Sequence, residues 1–426
     1  MTYLLRRRFF IVMALVFALA RAHVVPAQSS DASPGKIDVR KMNPTGLLVD
    51  DYSYMAQPYN FYYFHHMDEL GFRTDWVRKP DKIYPLRESS LVFTLKYEFH
   101  GKAYSLDDYF KRNDVTALLV LHDDQIECEK YLHGANQNSR FVSQSISKSI
   151  VSILVGAAIA DGKIKSIDDR VDIYLPYLAS RGYRGVTIRN ILEMATGVDY
   201  SEEYRDPHSG AAMIGAAIVS GKPTFKDFVA SMKPTDTKPG TKFNYQSVNT
   251  QVLGLLLEKV TGERLNQYAE EKLWKKIGAQ SDAFLYESKS QPDICAFACF
   301  NATIRDYARV GLMMMRGGDL GSQQILSESW VHDSTTPGAA FLKPGALGEM
   351  GGPFGYGYQW WLEPGEDGAF EAIGIYGQFI YVNPKMHVVI VQASAWPHPE
   401  GGGPDFYEES GLVHNTIAHS FHDGRL

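Results

Sequence analysis

The chain has 426 residues, with 43 basic and 49 acidic side chains and a formal net charge of −6. An acidic surface of this kind is a poor partner for nucleic acid, whose phosphates are gripped by clustered Lys and Arg. The length suffices to bury a large core without staples, and three cysteines, Cys128, Cys295 and Cys299, make no dense disulfide framework.

At the start of the chain Arg6, Arg7 and Arg8 precede an apolar run from Phe9 to Ala20 that is too short to span a bilayer comfortably. Small-residue cleavage patterns follow at Ala20-Arg21-Ala22 and Val25-Pro26-Ala27; the second is preferred, giving a signal peptide over residues 1–27. Its removal takes away four arginines and no acids and leaves a net charge of −10. A periplasmic or secreted protein is expected, without a stable membrane anchor after cleavage: no later run of 18 apolar residues occurs, and no cysteine near residue 27 offers lipid attachment. Export would permit a Cys295–Cys299 bridge, yet each cysteine taken alone reads as a buried small hydrophobe.

Residues 28 to about 100 are rich in Tyr, Phe, Pro and charge. Tyr52, Tyr54, Tyr59, Phe61, Tyr62, Tyr63 and Phe64 are too many aromatics for a disordered linker, so this part is expected to be an N-terminal extension packed on a main domain spanning 101–426. Thr116–His122, a turn at Asp123-Asp124, and Ile126–Tyr131 read as a β-hairpin. A helix running from Ser145 should stop near Asp161-Gly162, a glycine C-cap signal. From about 163 to 290 the pattern is mainly helical. It includes a short helix opened by Thr187 and a capped amphipathic helix from Ser247 to Gly262. Another helix covers Arg305 to Arg316. Strands then return at Phe370 to Ile375, Gln378 to Val382 and Val388 to Ala393, with an Asn383-Pro384 turn. Strands at both ends around a helical insert give an α+β fold: an antiparallel β-sheet flanked by helices, with an inserted helical subdomain. The 13 histidines show no paired metal spacing, and His414 and His419 on a terminal helix read as surface residues. No metal and no cofactor are expected. No Gly-x-Ser-x-Gly occurs, which argues against an α/β-hydrolase.

Three elements carry chemistry. In Ser145-Ile146-Ser147-Lys148 a spacing of three on a helix makes the hydroxyl and the amine neighbours, and a desolvated lysine can take the proton of a serine. Tyr245, in Phe243-Asn244-Tyr245-Gln246-Ser247 just ahead of a helix, could face a cleft; a phenol acts as a base only where cations favour its anion, and Lys148 could be that cation. A core tyrosine bonded to backbone is the competing reading. Ala372-Ile373-Gly374-Ile375 near the end is a glycine-bearing strand. Its main-chain N–H could, with that of the nucleophile, hold an oxyanion, or the glycine could serve a simple bend.

In this order the three resemble the serine β-lactamase and penicillin-recognising superfamily on its class C-like branch, and within it the 6-aminohexanoate-dimer hydrolases and related carboxylesterases. Asn190–Val198, Tyr245–Gly254, Arg305–Arg309 and Gly355–Trp361 add to the likeness, which covers roughly residues 100 to 395. The resemblance implies that Ser145 is the acylated nucleophile and Lys148 its proton acceptor. It also implies that Tyr245 relays the proton to the leaving group and activates the deacylating water, and that the N–H groups of Ser145 and Ile375 form the oxyanion hole. Tyr204 and Tyr200 could cover the substrate, with Tyr204 favoured, and Ser247, Asn301 and Gln378 are further pocket candidates. Two departures stand out: Ser247 occupies a position that is Asn in class C enzymes, and Ala372-Ile373-Gly374 stands where they have Lys-Thr-Gly. Without that cation to grip a carboxylate, uncharged ester, amide or peptide-like small molecules become the expected substrates. A β-lactamase or D-Ala-D-Ala carboxypeptidase is the alternative, and a non-catalytic binding or sensor domain of the same fold is the alternative from another class.

Overall fold

The segment Val115–His122 is apolar at nearly every position because its strand is covered on both faces. It lies near the middle of an eight-stranded sheet in a computed structural model that describes residues 52–90, 93–288, 292–321, 323–403 and 405–422. The signal-peptide expectation for residues 1–27 lies outside the described residues. In chain order the strands are Arg87–Glu88 (β1), Val115–His122 (β2), Gln125–Tyr131 (β3), Gly355–Tyr356 (β4), Trp361–Leu362 (β5), Phe370–Gly374 (β6), Gln378–Asn383 (β7) and Val388–Ser394 (β8). Across the sheet they run β4-β5-β6-β7-β8-β2-β3-β1. Only the short β1–β3 pair is parallel. The two ends of the chain therefore meet where β8 pairs with β2, Ile390 opposite Val120. The α+β class follows, with antiparallel pairing throughout the centre.

Helices cover both faces. Ile304–Met315 packs on one side so closely that a Cβ on Gly311 would lie 2.6 Å from a Val389 methyl. The C-terminal helix Asp405–His422 covers the other with Val413, Ile417 and Ala418 against Leu118, Val120 and Ile390. This corrects one expectation. His414 is fully buried, its Nε2 3.0 Å from Gln392 Oε1, because it sits on the sheet-facing stripe of that helix; His419 keeps contact with solvent and pairs with Asp367.

Two central helices carry the chemistry: Ile146–Ala160 (α1) and Ser247–Thr261 (α2), packed on one another. In α1 every residue from Ile146 to Ala158 is buried, and the helix ends at Asp161 with Gly162 at φ +69. The amphipathic reading of α2 needs correction. Its first turns are buried all round, so Asn249, Thr250 and Gln251 point inward and bond Tyr183, Gln359 and the Ile294 carbonyl. Nor is it capped by its own preceding side chain, Gln246.

A second, four-stranded sheet orders Arg73–Val77, Ala283–Glu287, Phe300–Ala302 and Phe141–Val142 side by side. It delivers the chain to Ser145 three residues after Val142, whose N–H is in turn held by the Phe64 carbonyl at 2.8 Å. Tyr63, Phe64, Met67 and Phe72 are buried in the same core as α1. Cys295 and Cys299 are joined in a disulfide and Cys128 is a free buried thiol, so the hydrophobe reading describes Cys128 alone. Among the described residues no helix is long and apolar enough to cross a membrane.

Candidate active site

Ser145 stands at the N-terminal end of α1, buried at 8% exposure. The residue before it, Gln144, has φ +46, a left-handed conformation that costs a non-glycine residue about 1 kcal/mol or more and persists only where packing enforces it. The enforcing neighbour is β6. A Cβ on Gly374 would lie 2.5 Å from the Ser143 carbonyl oxygen and 2.9 Å from Gln144 Cβ, so only glycine lets this strand end press on the nucleophile's loop. The chain turns directly afterwards: Ile375 begins the turn instead of closing the strand, and Tyr376 and Gly377 follow at φ +64 and +82. Gln378 donates its amide to the Tyr376 and Ser394 carbonyls, at 2.9 and 2.8 Å. It is a brace for this turn, its amide consumed by backbone.

Lys148, 1% exposed, directs its amine at Ser145: Nζ donates to Oγ at 2.7 Å and to the Phe297 carbonyl at 3.1 Å. Burial disfavours the ammonium and lowers its pKa to about 8, against the opposing pull of Glu202. Roughly a tenth of the lysine is then a free amine at pH 7, where an exposed lysine would offer under a thousandth.

Tyr245 closes the group. Its ring lies 5.1 Å from Lys148 Nζ, beside the Ser145–Lys148 pair. Burial first, then the Glu202 charge, push the phenol well above its ordinary pKa, with the Ser145 hydroxyl pulling the other way. This revises the idea of a cation-stabilised tyrosinate. The resting phenol is neutral and can pass a proton along, while the amine is the group that titrates near neutrality. Trp361, 5.4 Å from the Tyr245 ring, and Tyr356 form an aromatic wall behind it.

The residue that sequence reasoning missed is Glu202. A glutamate in the polar 199–204 loop reads as solvated; here it is 7% exposed. Its Oε1 accepts from Ser247 Oγ at 2.5 Å and from the Tyr204 hydroxyl at 2.9 Å, and its Oε2 accepts the Ser247 N–H at 2.7 Å. The carboxylate thus serves as the cap that Gln246 does not provide to α2. Tyr204 and Ser247 are therefore brought to this group through Glu202. Tyr200 is buried, its ring under Gly210. Asn301 is not brought to the group by any hydrogen bond: fully buried in the four-stranded sheet, it donates to the Cys299 carbonyl at 2.9 Å. Among the described residues one trio of possible metal ligands, His100, Asp405 and Glu408, lies together, and none of the three belongs to the Ser145 group.

The β-lactamase family model matches residues 110–409. The chain belongs to the β-lactamase family. Within the family it is 32% identical over 308 residues to the 6-aminohexanoate-dimer hydrolase of Paenarthrobacter ureafaciens, covering 69% of this chain and 76% of that one. A Bacillus anthracis structure solved as a candidate 6-aminohexanoate-dimer hydrolase superposes with a TM-score of 0.76 at 26% identity, covering 87% of this chain and 96% of its own. A family VIII carboxylesterase shares the fold, with a TM-score of 0.55 at 18% identity over 73% and 96% of the two chains. This β-lactamase-family protein is a serine hydrolase. In it the serine, amine and phenol are assembled from α1 and from the loop ahead of α2.

Proposed function

We propose that the protein cleaves ester or small amide bonds of small molecules through an acyl-enzyme on Ser145. The observation that carries this is the 2.7 Å bond between Lys148 Nζ and Ser145 Oγ inside a buried site shared with the Tyr245 phenol. In the free-amine form Lys148 takes the Ser145 proton as Oγ attacks the substrate carbonyl carbon. The oxyanion that forms is held by the N–H groups of Ser145 and Ile375, residues on the two sides of the Gly374 contact. The proton passes from Lys148 through Tyr245 to the leaving oxygen or nitrogen, and the carbonyl–leaving-group bond breaks to release alcohol or amine. Water then loses a proton along the same path, attacks the ester carbon and frees the acid, returning the proton to Ser145 Oγ. No cofactor or metal is needed for any of these steps.

The missing cation at Ala372-Ile373-Gly374 and the buried Glu202 carboxylate both favour substrates without a carboxylate at the reacting end, and so weigh against a β-lactamase or D,D-peptidase. Export is part of the proposal and rests on the Arg6–Arg8 and Phe9–Ala20 leader; a mature N-terminus at Gln28 would support it. The test of the chemistry is turnover of p-nitrophenyl acetate and butyrate by the pure protein. Ser145→Ala should lose several orders of magnitude in kcat, and an undiminished rate in that variant would refute the assignment.

A further inference from the structure

Phe297 supplies the second partner of Lys148, and it is the middle residue of Cys295-Ala296-Phe297-Ala298-Cys299, a loop closed by a disulfide. We propose that the Cys295–Cys299 bridge is a positioning element of the active site, holding the Phe297 carbonyl and ring over the lysine so that its amine stays dry and aimed at Ser145. This rests on the acyl-enzyme reading above and adds to it a covalent constraint outside the three reactive side chains.

The loop touches Lys148 through Phe297. The amine is 3.1 Å from the Phe297 carbonyl oxygen and 5.7 Å from its ring centroid. Cys295, Ala296 and Cys299 are fully buried and Phe297 nearly so, which makes the loop a cover. Its two ends are tied to both catalytic helices. On the α2 side the Ala296 N–H donates to Gln251 Oε1 at 3.0 Å, and a Cβ on Gly254 would lie 2.5 Å from Ala296 Cβ. On the α1 side the Phe300 N–H donates to Ser147 Oγ at 3.0 Å, and Ser143 Oγ reaches the Ala298 carbonyl. Between these ties the carbonyl at Phe297 belongs to no helix or strand, so nothing periodic fixes its direction. A short covalent ring does, by removing the conformations in which the carbonyl turns away.

The groups facing the amine are Ser145 from α1, the Tyr245 phenol from the loop before α2, Glu202 from the 199–204 loop and Phe297 from the bridged loop. Glu202 is the charged one, and loosening the bridged loop leaves it in place. What changes is water: with the cover loosened the ammonium is solvated, and the base is protonated at pH values where the closed form is already active.

The experiment compares wild type with Cys295→Ser/Cys299→Ser, with Cys128→Ala as the control whose profile stays put, measuring kcat for p-nitrophenyl butyrate from pH 6 to 10. The double variant is expected to lose roughly tenfold at pH 7 and to recover most of its rate at the alkaline end, because its limb has moved up by about one unit. A profile that superimposes on wild type, or one lowered by the same factor at every pH, overturns the proposal. Should the double variant fail to fold, wild type made in a reducing cytosol is assayed before and after oxidised glutathione. Each bridge formed transfers two electrons and two protons from two thiols to one disulfide, releasing two reduced glutathiones. The expected result is a rise in rate at pH 7 that tracks the loss of two thiols per chain; equal rates in the two forms overturn it. No Ser145-dependent turnover in oxidised wild type would instead sink the acyl-enzyme reading, so the two failures are separable.

Discussion

Ser247 donates twice to Glu202, through its hydroxyl at 2.5 Å and its backbone N–H at 2.7 Å, and so fixes a negative charge beside an amine that burial would otherwise strip of its proton. In class C enzymes an asparagine fills the Ser247 position. Here Ser247 bonds a carboxylate from another loop. The pair governs how readily Lys148 becomes a base.

Glu202→Gln removes that charge while keeping the shape and one acceptor oxygen. Glu202 raises the Lys148 pKa, so its loss lowers it, and the limb of kcat/KM against pH should move to lower pH by about half a unit to one unit. A limb that stays in place would show that the carboxylate does not reach the amine electrostatically.

Lys148→Arg keeps a cation in α1 but provides a group that cannot be deprotonated near neutrality. Turnover should fall by 10³-fold or more, as far as in Lys148→Met. Substantial activity in the arginine variant would mean that the amine acts only as a positive charge.

Burial of Lys148 carries a stability consequence. Its folded pKa, about 8, lies below the 10.5 of the exposed group, so the unfolded chain binds more protons between those values and stability rises with pH across that window. Below pH 8 the full cost is present, on the order of 3 kcal/mol. Lys148→Met should therefore raise Tm at pH 7 and lose that advantage by pH 10.5, as read by calorimetry at the two pH values.

Tyr245→Phe separates substrates by leaving group. A p-nitrophenolate departs without a proton, whereas an amide nitrogen must be protonated to leave. Anilide turnover should fall at least tenfold further than p-nitrophenyl ester acylation, monitored as the burst phase. Equal losses on both would remove the phenol from the proton path.

Much of the architecture could be read from the chain. The apolar run at Val115–His122, the Thr187 cap and the Gly162 and Gly262 stops all act within a few residues of themselves, and periodicity and capping report such forces directly. Ser145 and Lys148, three apart on one helix, were legible for the same reason, whereas Tyr245, a hundred residues on, was legible only through the family resemblance. What escaped notice depends on tertiary contact. Glu202 looked like any loop acid until Ser247 and Tyr204 closed on it; Phe297 acts through its carbonyl, which no side-chain motif records; and His414 lies inward because the terminal helix presents that stripe to the sheet. Gln378, a pocket candidate by sequence, instead gives its amide to two backbone carbonyls.

The most direct measurement is peptide mapping after reaction of the native protein with a fluorophosphonate. One adduct per chain is expected, on the peptide holding Ser145, with none in Ser145→Ala and sharply slowed labelling in Lys148→Met. An adduct elsewhere, or an unlabelled Ser145 in folded protein, would contradict the claim that this alcohol is the nucleophile.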